Sequence, residues 1–270
     1  MCIDMNPSGM CECLCVCVSV WQEGRAGSSH QPIKRAFDGK TMDRHIQQVK
    51  KDELVTGASE GIGRQYAFAL AEHGMNVVIM SRTKVNLDKV AREISETTHR
   101  MVKVVVADFT KDNIFTDIEE QLKYLDIGVL VNNVGMVPST VPRRFLEEED
   151  LDQIIMSVIN CNVKTMVKMC KIILPGMENR RKGVILNIAS GVASIPFPMY
   201  SLYAASKIFV ERFSQGLQAE YKDKGVIIQG WLLLCIPLKI LHTEAVFQGL
   251  QNYVERQQAE KRCSSVIRDA

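Results

Sequence analysis

Short β-branched apolar runs recur along this chain with amphipathic segments between them, and that alternation leaves few folds open. Asn76 to Met80, Met101 to Val106, Ile127 to Val131, Val184 to Ile188 and Val226 to Ile228 are the apolar runs, and Ile114 to Leu125 has helical spacing. Runs that are apolar throughout belong to strands buried on both faces. Such strands, separated by helices, make parallel βαβ units. The expectation is a single α/β domain with a doubly wound parallel sheet and helices on both faces. Ligands bind beyond the carboxyl ends of the strands in sheets of this kind. Gly57, Arg82, Asp108, Asn133 and Ser190 fall just after strand candidates, so the fold would gather them on one edge.

The turn after the first strand candidate reads Thr56-Gly57-Ala58-Ser59-Glu60-Gly61-Ile62-Gly63. Gly57 can take a turn conformation closed to other residues, and Gly61 and Gly63 let the backbone come close to a ligand. The helix that follows offers unpaired amides and the positive end of its dipole to a pyrophosphate. Ser59 and Ile62 lie in the same turn. The spacing is Gly-x-x-x-Gly-x-Gly, and a plain strand-to-helix connector would also satisfy it. About twenty residues on, where a dinucleotide fold reads the adenosine ribose, stands Arg82 in Ser81-Arg82-Thr83. A guanidinium there suits a 2′-phosphate better than a 2′-hydroxyl, so the residues favour NADP(H) over NAD(H). A solvated arginine at a strand end is the alternative.

Tyr203 and Lys207 sit four apart in Tyr-Ala-Ala-Ser-Lys, and Tyr203 is the one tyrosine of the chain with a lysine at that spacing. On a helix they share a face. An adjacent ammonium favours the phenolate, drawing a group of ordinary pKa about 10 towards neutral pH. Ser190, in Asn-Ile-Ala-Ser-Gly, could hold a substrate oxygen near the phenol. This is equipment for moving one proton on or off a carbonyl or alcohol oxygen. Upstream, Glu147 to Asp150 opens a helical stretch expected to close at Pro175-Gly176, with an apolar stripe through Leu151, Ile155, Val158, Met166, Met169 and Ile173. Asn162 takes the missing step of that stripe. A buried carboxamide must use its donors and acceptors, either on backbone or on a water near the tyrosine.

Together these residues resemble the short-chain dehydrogenase/reductase family over roughly Leu54 to Gln229. The carriers are the glycine turn, Asn132-Asn133-Val134-Gly135, Asn162, Ser190 and Tyr203-x-x-x-Lys207. Within the family, Ala107-Asp108-Phe109-Thr110 and Pro196-x-Pro198-x-Tyr200-Ser201-x-Tyr203 are similar to the microsomal 17-beta-hydroxysteroid dehydrogenases and very-long-chain 3-oxoacyl-CoA reductases. The resemblance implies a Rossmann-like fold and NADPH-dependent ketone reduction on a lipophilic substrate, a 17-ketosteroid or a 3-oxoacyl-CoA. It implies Tyr203 as proton donor, Lys207 on the nicotinamide ribose, Ser190 on the substrate oxygen and Asn162 on a relay water. The cofactor set would be Gly57, Ser59, Gly61, Ile62, Gly63, Arg82, Asp108, Asn133, Tyr203 and Lys207. A homodimer and a place at the endoplasmic reticulum are further implications.

Both ends depart from that pattern. Residues 1 to 50 hold no run near the roughly 20 apolar residues a membrane span needs, so a cytoplasmic location follows if that segment is truly missing. After Gln229 the chain reads Gly230-Trp231-Leu232-Leu233-Leu234-Cys235-Ile236, which does not align with the family's substrate loop. The expected division is a Cys-rich tail and linker over 1–50, the cofactor-binding domain over 51–229 and a divergent segment over 230–270. The alternative to an enzyme is a member that binds NADP(H) but reduces poorly or not at all. Five of the nine cysteines (Cys2, Cys11, Cys13, Cys15, Cys17) lie in the first seventeen residues. They lack the Cys-x-x-Cys spacing of structural zinc, so a reduced tail and no metal are expected. Net charge is +2 without a basic tract, which argues against nucleic acid. Finally, Lys50-Lys51-Asp52-Glu53 stands where the central strand should be apolar, so that strand should be short at its amino end.

Overall fold

The computed structural model describes residues 15–19, 52–194 and 196–235. Seven strands form one sheet: β1 (Cys15–Ser19), β2 (Asp52–Thr56), β3 (Asn76–Ser81), β4 (Val102–Val106), β5 (Ile127–Asn132), β6 (Gly183–Ser190) and β7 (Val226–Cys235). Their order is β1-β7-β6-β5-β2-β3-β4. The last six run parallel, while β1 pairs antiparallel with β7. The fully apolar runs are the buried strands: β5 and β6 are buried at every position. Strand order reverses between β2 and β5, and such a switch point opens a crevice at the carboxyl edge.

Helices cover both faces, as the sequence pattern requires. On one side α1 (Gly61–Glu72) and α2 (Lys84–Thr98) bury Tyr66, Leu70, Leu87, Val90 and Ile94 against Val55, Ile79, Val129 and Val131. On the other, α3 (Phe115–Leu122) and α5 (Thr165–Arg180) bury Ile118, Leu122, Met169 and Ile173 against Leu54, Met80, Val105 and Leu130. Between α4 (Leu151–Val158) and α5 lies a π-helical turn, Ile159–Lys164. The long α6 (Ser201–Tyr221) packs along β6 and β7.

Two readings of the sequence change here, and one strand runs further than its apolar run. The helix does not stop at Pro175-Gly176; Pro175 lies inside α5, which runs to Arg180. Proline in a helix interior costs about 3 kcal/mol. Burial of Leu174 and Met177 on either side, and an ion pair of Arg180 with Asp126, hold the helix through it. The central strand is not cut short at its amino end either: Asp52 and Glu53 are both in the ladder with β3 and β5. Glu53 is fully buried, and neither carboxyl oxygen has a hydrogen-bond partner among the described residues. Burial pushes its carboxyl well above the usual carboxylate range, with Asp52 adding to the rise and the Val129 amide and Arg180 opposing it. Lastly, β7 continues past Gln229 to Cys235, pairing Asn187 to Ser190 with Gly230 to Leu233, and Trp231 is buried. Cys15 and Cys17 lie in β1. Cys2, Cys11, Cys13, the linker and residues 236–270 lie outside the described residues.

Candidate active site

The switch point is closed by side chains from both of its strands. Thr56 Oγ1 donates to the Val131 carbonyl (3.3 Å) and accepts from the amides of Asn133 (3.1 Å) and Val134 (3.2 Å). Asn133 Nδ2 donates to the carbonyls of Thr56 (3.2 Å) and Gly57 (3.1 Å). Asn133 therefore fixes the glycine turn. Gly57 has φ +66°, and a Cβ on Gly63 would stand 2.2 Å from the Gly57 carbonyl oxygen. Both positions exclude a side chain. Glu60 caps α1 with no side-chain hydrogen bond, so the first amides of the helix stay available to an anion.

A cleft of about 270 Å³ runs along this edge, lined by Gly57, Ser59, Gly61, Ile62, Arg82, Asp108 and Asn133. Gly63 backs the turn from within α1. Arg82 is exposed at the end of β3. Beside it the hydroxyls of Ser59 and Ser81 share a 3.0 Å hydrogen bond. Asp108 Oδ1 accepts from the amide (3.1 Å) and hydroxyl (2.8 Å) of Thr110, which shapes the turn after β4. The glycine turn, its free amides and the exposed guanidinium fit a dinucleotide.

At the other end of the cleft stand Tyr203, Lys207, Ser190 and Asn162, the residues expected from the sequence to transfer a proton. Lys207 is buried, and its Nζ donates to the Ile188 carbonyl at 2.9 Å. It lies 5.8 Å from the centre of the Tyr203 ring. Burial pulls the ammonium down to about 8, against a smaller upward pull from Cys161. Gly135 leaves room for this ammonium, for a Cβ there would lie 3.1 Å from Nζ. Ser190 is the last residue of β6, two beyond Ile188, and is buried. Asn162 uses its carboxamide on protein groups: Oδ1 accepts from the Met136 amide (2.7 Å), and Nδ2 donates to the Met136 carbonyl (2.9 Å) and Ser206 Oγ (3.0 Å). Ser206 in turn donates to the Tyr203 carbonyl at 2.6 Å. One lone pair of Oδ1 remains for a water.

Residues 51–236 match the model of the short chain dehydrogenase family. The chain belongs to that family. Among curated relatives of this short chain dehydrogenase are the 17-beta-hydroxysteroid dehydrogenases type 3 of Danio rerio (60% identical over 65% of this chain and 57% of the relative) and Homo sapiens (48%; 75% and 65%). The very-long-chain 3-oxoacyl-CoA reductase of Homo sapiens is 44% identical over 69% of this chain and 60% of its own length. The chain thus spans about 57% to 65% of the length of these relatives. A short-chain dehydrogenase from Sphingobium yanoikuyae in complex with NADPH superposes with TM-score 0.62 at 32% identity, over 67% of this chain and 69% of that one. A bulky-bulky ketone specific alcohol dehydrogenase from Comamonas testosteroni gives 0.63 at 28% identity, over 80% and 94%.

Gly57, Arg82, Asp108 and Asn133 thus share one cleft, while Tyr203, Lys207, Ser190 and Asn162 stand at its end rather than among its lining residues. Sequence reasoning did not single out Met136, Ser206 or Cys161. The first two act through hydrogen bonds to Asn162, and Cys161 enters the cleft wall from the π turn. Among the described residues no group of side chains could hold a metal ion, and no helix is long and apolar enough to cross a membrane.

Proposed function

We propose that this short chain dehydrogenase is an NADP(H)-dependent reductase of a ketone on a lipophilic substrate, in the first place a 17-ketosteroid. The buried Lys207 beside Tyr203 at the end of the dinucleotide cleft carries the reading. The chemistry a reduced nicotinamide would supply, if held in the cleft, is a hydride for the carbonyl carbon. Tyr203 gives its phenolic proton to the carbonyl oxygen as negative charge develops there. The Lys207 ammonium stabilises the phenolate left behind, which water then reprotonates. Ser190 orients the substrate oxygen, and Asn162 fixes Met136 and the Tyr203 end of α6 while leaving an acceptor for a relay water.

Arg82 supports NADP(H): it is exposed at the cleft, follows the strand that reads the ribose, and forms no ion pair among the described residues. The names of the relatives support a steroid first and a 3-oxoacyl thioester second. Val137, Val192, Phe197, Met199 and Tyr200, grouped around Tyr203, offer an apolar wall for either. We place the reaction at the endoplasmic reticulum on the family resemblance alone. The test is NADPH affinity by fluorescence titration, followed by NADPH oxidation with a 17-ketosteroid and with a 3-oxoacyl-CoA. Tight NADPH binding with steroid-dependent oxidation is expected. Preference for NADH, or no turnover of either ketone, would overturn the reading.

A further inference from the structure

An α-helix turns about 100° per residue, so three consecutive side chains spread over about 200° of its surface. Asn160, Cys161 and Asn162 are consecutive and all buried. They lie in the π turn, where the Asn160 carbonyl accepts from both the amide and the hydroxyl (2.8 Å) of Thr165. Of the three, Cys161 lines the cleft itself, while Asn160 and Asn162 bond to loop residues that line it. Asn162 holds Met136, at the end near Tyr203, and Cys161 enters the wall. Asn160 has a separate target. Its Nδ2 donates to the Thr110 carbonyl at 2.9 Å, in the turn whose Asp108, Phe109 and Thr110 line the cleft beyond β4. Lys164, at the end of the same π turn, pairs with Asp112 at 2.6 Å and ties that loop a second time.

We infer that Asn160 is a positioning residue for the adenosine end of the cofactor, with Lys164 as a weaker second strap on the same loop. The inference rests on the cofactor reading above. Within the loop, Asp108 spends one oxygen on Thr110, so the shape of the turn is set from inside. Its height against the cleft is set from outside, by Asn160. Nδ2 is a donor aimed at a carbonyl, so a side chain of similar size without that donor leaves the Thr110 carbonyl unheld and the turn free to swing away from the bound base. The π turn therefore supports both ends of the cleft from one element, by different residues: Asn162 the nicotinamide end, Asn160 the adenosine end.

The experiment compares two cofactor fragments on the full chain. Adenosine 2′,5′-bisphosphate probes one end and reduced nicotinamide mononucleotide the other, both by calorimetric or NMR titration. Asn160→Ala should weaken the bisphosphate about tenfold and leave the mononucleotide within twofold. Lys164→Met, a surface change, should weaken the bisphosphate two- to threefold with the mononucleotide again unchanged, and it decides the matter if Asn160→Ala does not accumulate as folded protein. Equal losses for both fragments would make the π turn a general structural support and overturn the inference, as would unchanged bisphosphate affinity in both variants. A wild-type chain that fails to bind adenosine 2′,5′-bisphosphate would refute the cofactor reading itself, and the inference with it.

Discussion

Glu53 is the least comfortable residue of the sheet, and replacing it should make the protein more stable. Its carboxyl is fully buried in the central strand with no hydrogen-bond partner among the described residues. The nearby Arg180 is already held by Asp126 and by the Ile127 carbonyl (2.7 Å). Burial, with Asp52 and Asp126 adding to it, raises the pKa of Glu53 against the smaller opposing pulls of the Val129 amide and Arg180. The sign follows from linkage. The folded state keeps a proton that the unfolded chain releases above its ordinary pKa of about 4.3. Stability is therefore greatest below that value and falls as pH rises towards the folded value, by about 1.4 kcal/mol per pH unit. Glu53→Gln removes the titration and keeps the shape. Relative to wild type it should gain stability as pH rises from about 5 upward, at no more than about 1.4 kcal/mol per pH unit. Glu53→Leu also removes the unsatisfied polar atoms and should be more stable again by about 1–3 kcal/mol. Urea unfolding of the three chains at several pH values, with equal m-values, measures this. Parallel curves for wild type and Glu53→Gln would refute the reasoning, since an unpaired buried carboxyl cannot be indifferent to pH in that window.

Three predictions concern the site. Tyr203→Phe should lower ketone reduction at least a thousandfold with NADPH affinity within about twofold, because the ring's packing survives and only the proton is lost; near-normal kcat would remove Tyr203 from the chemistry. Arg82→Asp should reverse the NADPH-to-NADH preference in kcat/KM by removing the cation and adding an acceptor for a 2′-hydroxyl, and an unchanged ratio would show that Arg82 does not meet the ribose. Reduction should decline as pH rises through about 8, where the buried Lys207 loses its proton and with it the charge that stabilises the phenolate. Lys207→Arg, which stays charged, should shift that limb upward even at a lower rate.

The parts of this fold that were legible in the sequence are those in which one strand or turn carries its own signal. β3, β5 and β6 are apolar at nearly every position because helices cover them on both sides, and that composition needs no partner to be read. The glycine turn is similar: Gly57 and Gly63 mark places where a Cβ cannot go. The π turn left no such mark. The stripe through α4 and α5 correctly made Asn162 an inward residue, but a slip of one residue in helical phase is invisible to periodicity, so Asn160 and Cys161 were passed over. Pro175 misled because helix propensity is a local preference, and burial of Leu174 and Met177 outweighs it. Glu53 misled in the opposite sense. A charged residue argues against a central strand, and here the ladder with β3 and β5 carries it into the core regardless.

β1 had no local signal either, and its position governs the order in which the molecule can be completed. Cys17 pairs with Leu233, more than two hundred positions away along the chain. During synthesis at about 5–20 residues per second, β1 waits on the order of 10 to 40 s for its partner. For that interval Cys15-Val16-Cys17-Val18-Ser19 is a strand-forming segment with unpaired amides and carbonyls. The six parallel strands can form without it, and β1 closes the open side of β7 last. The newly made chain is therefore most exposed to aggregation as β7 emerges, when one edge of the sheet is built and its cover has not yet docked.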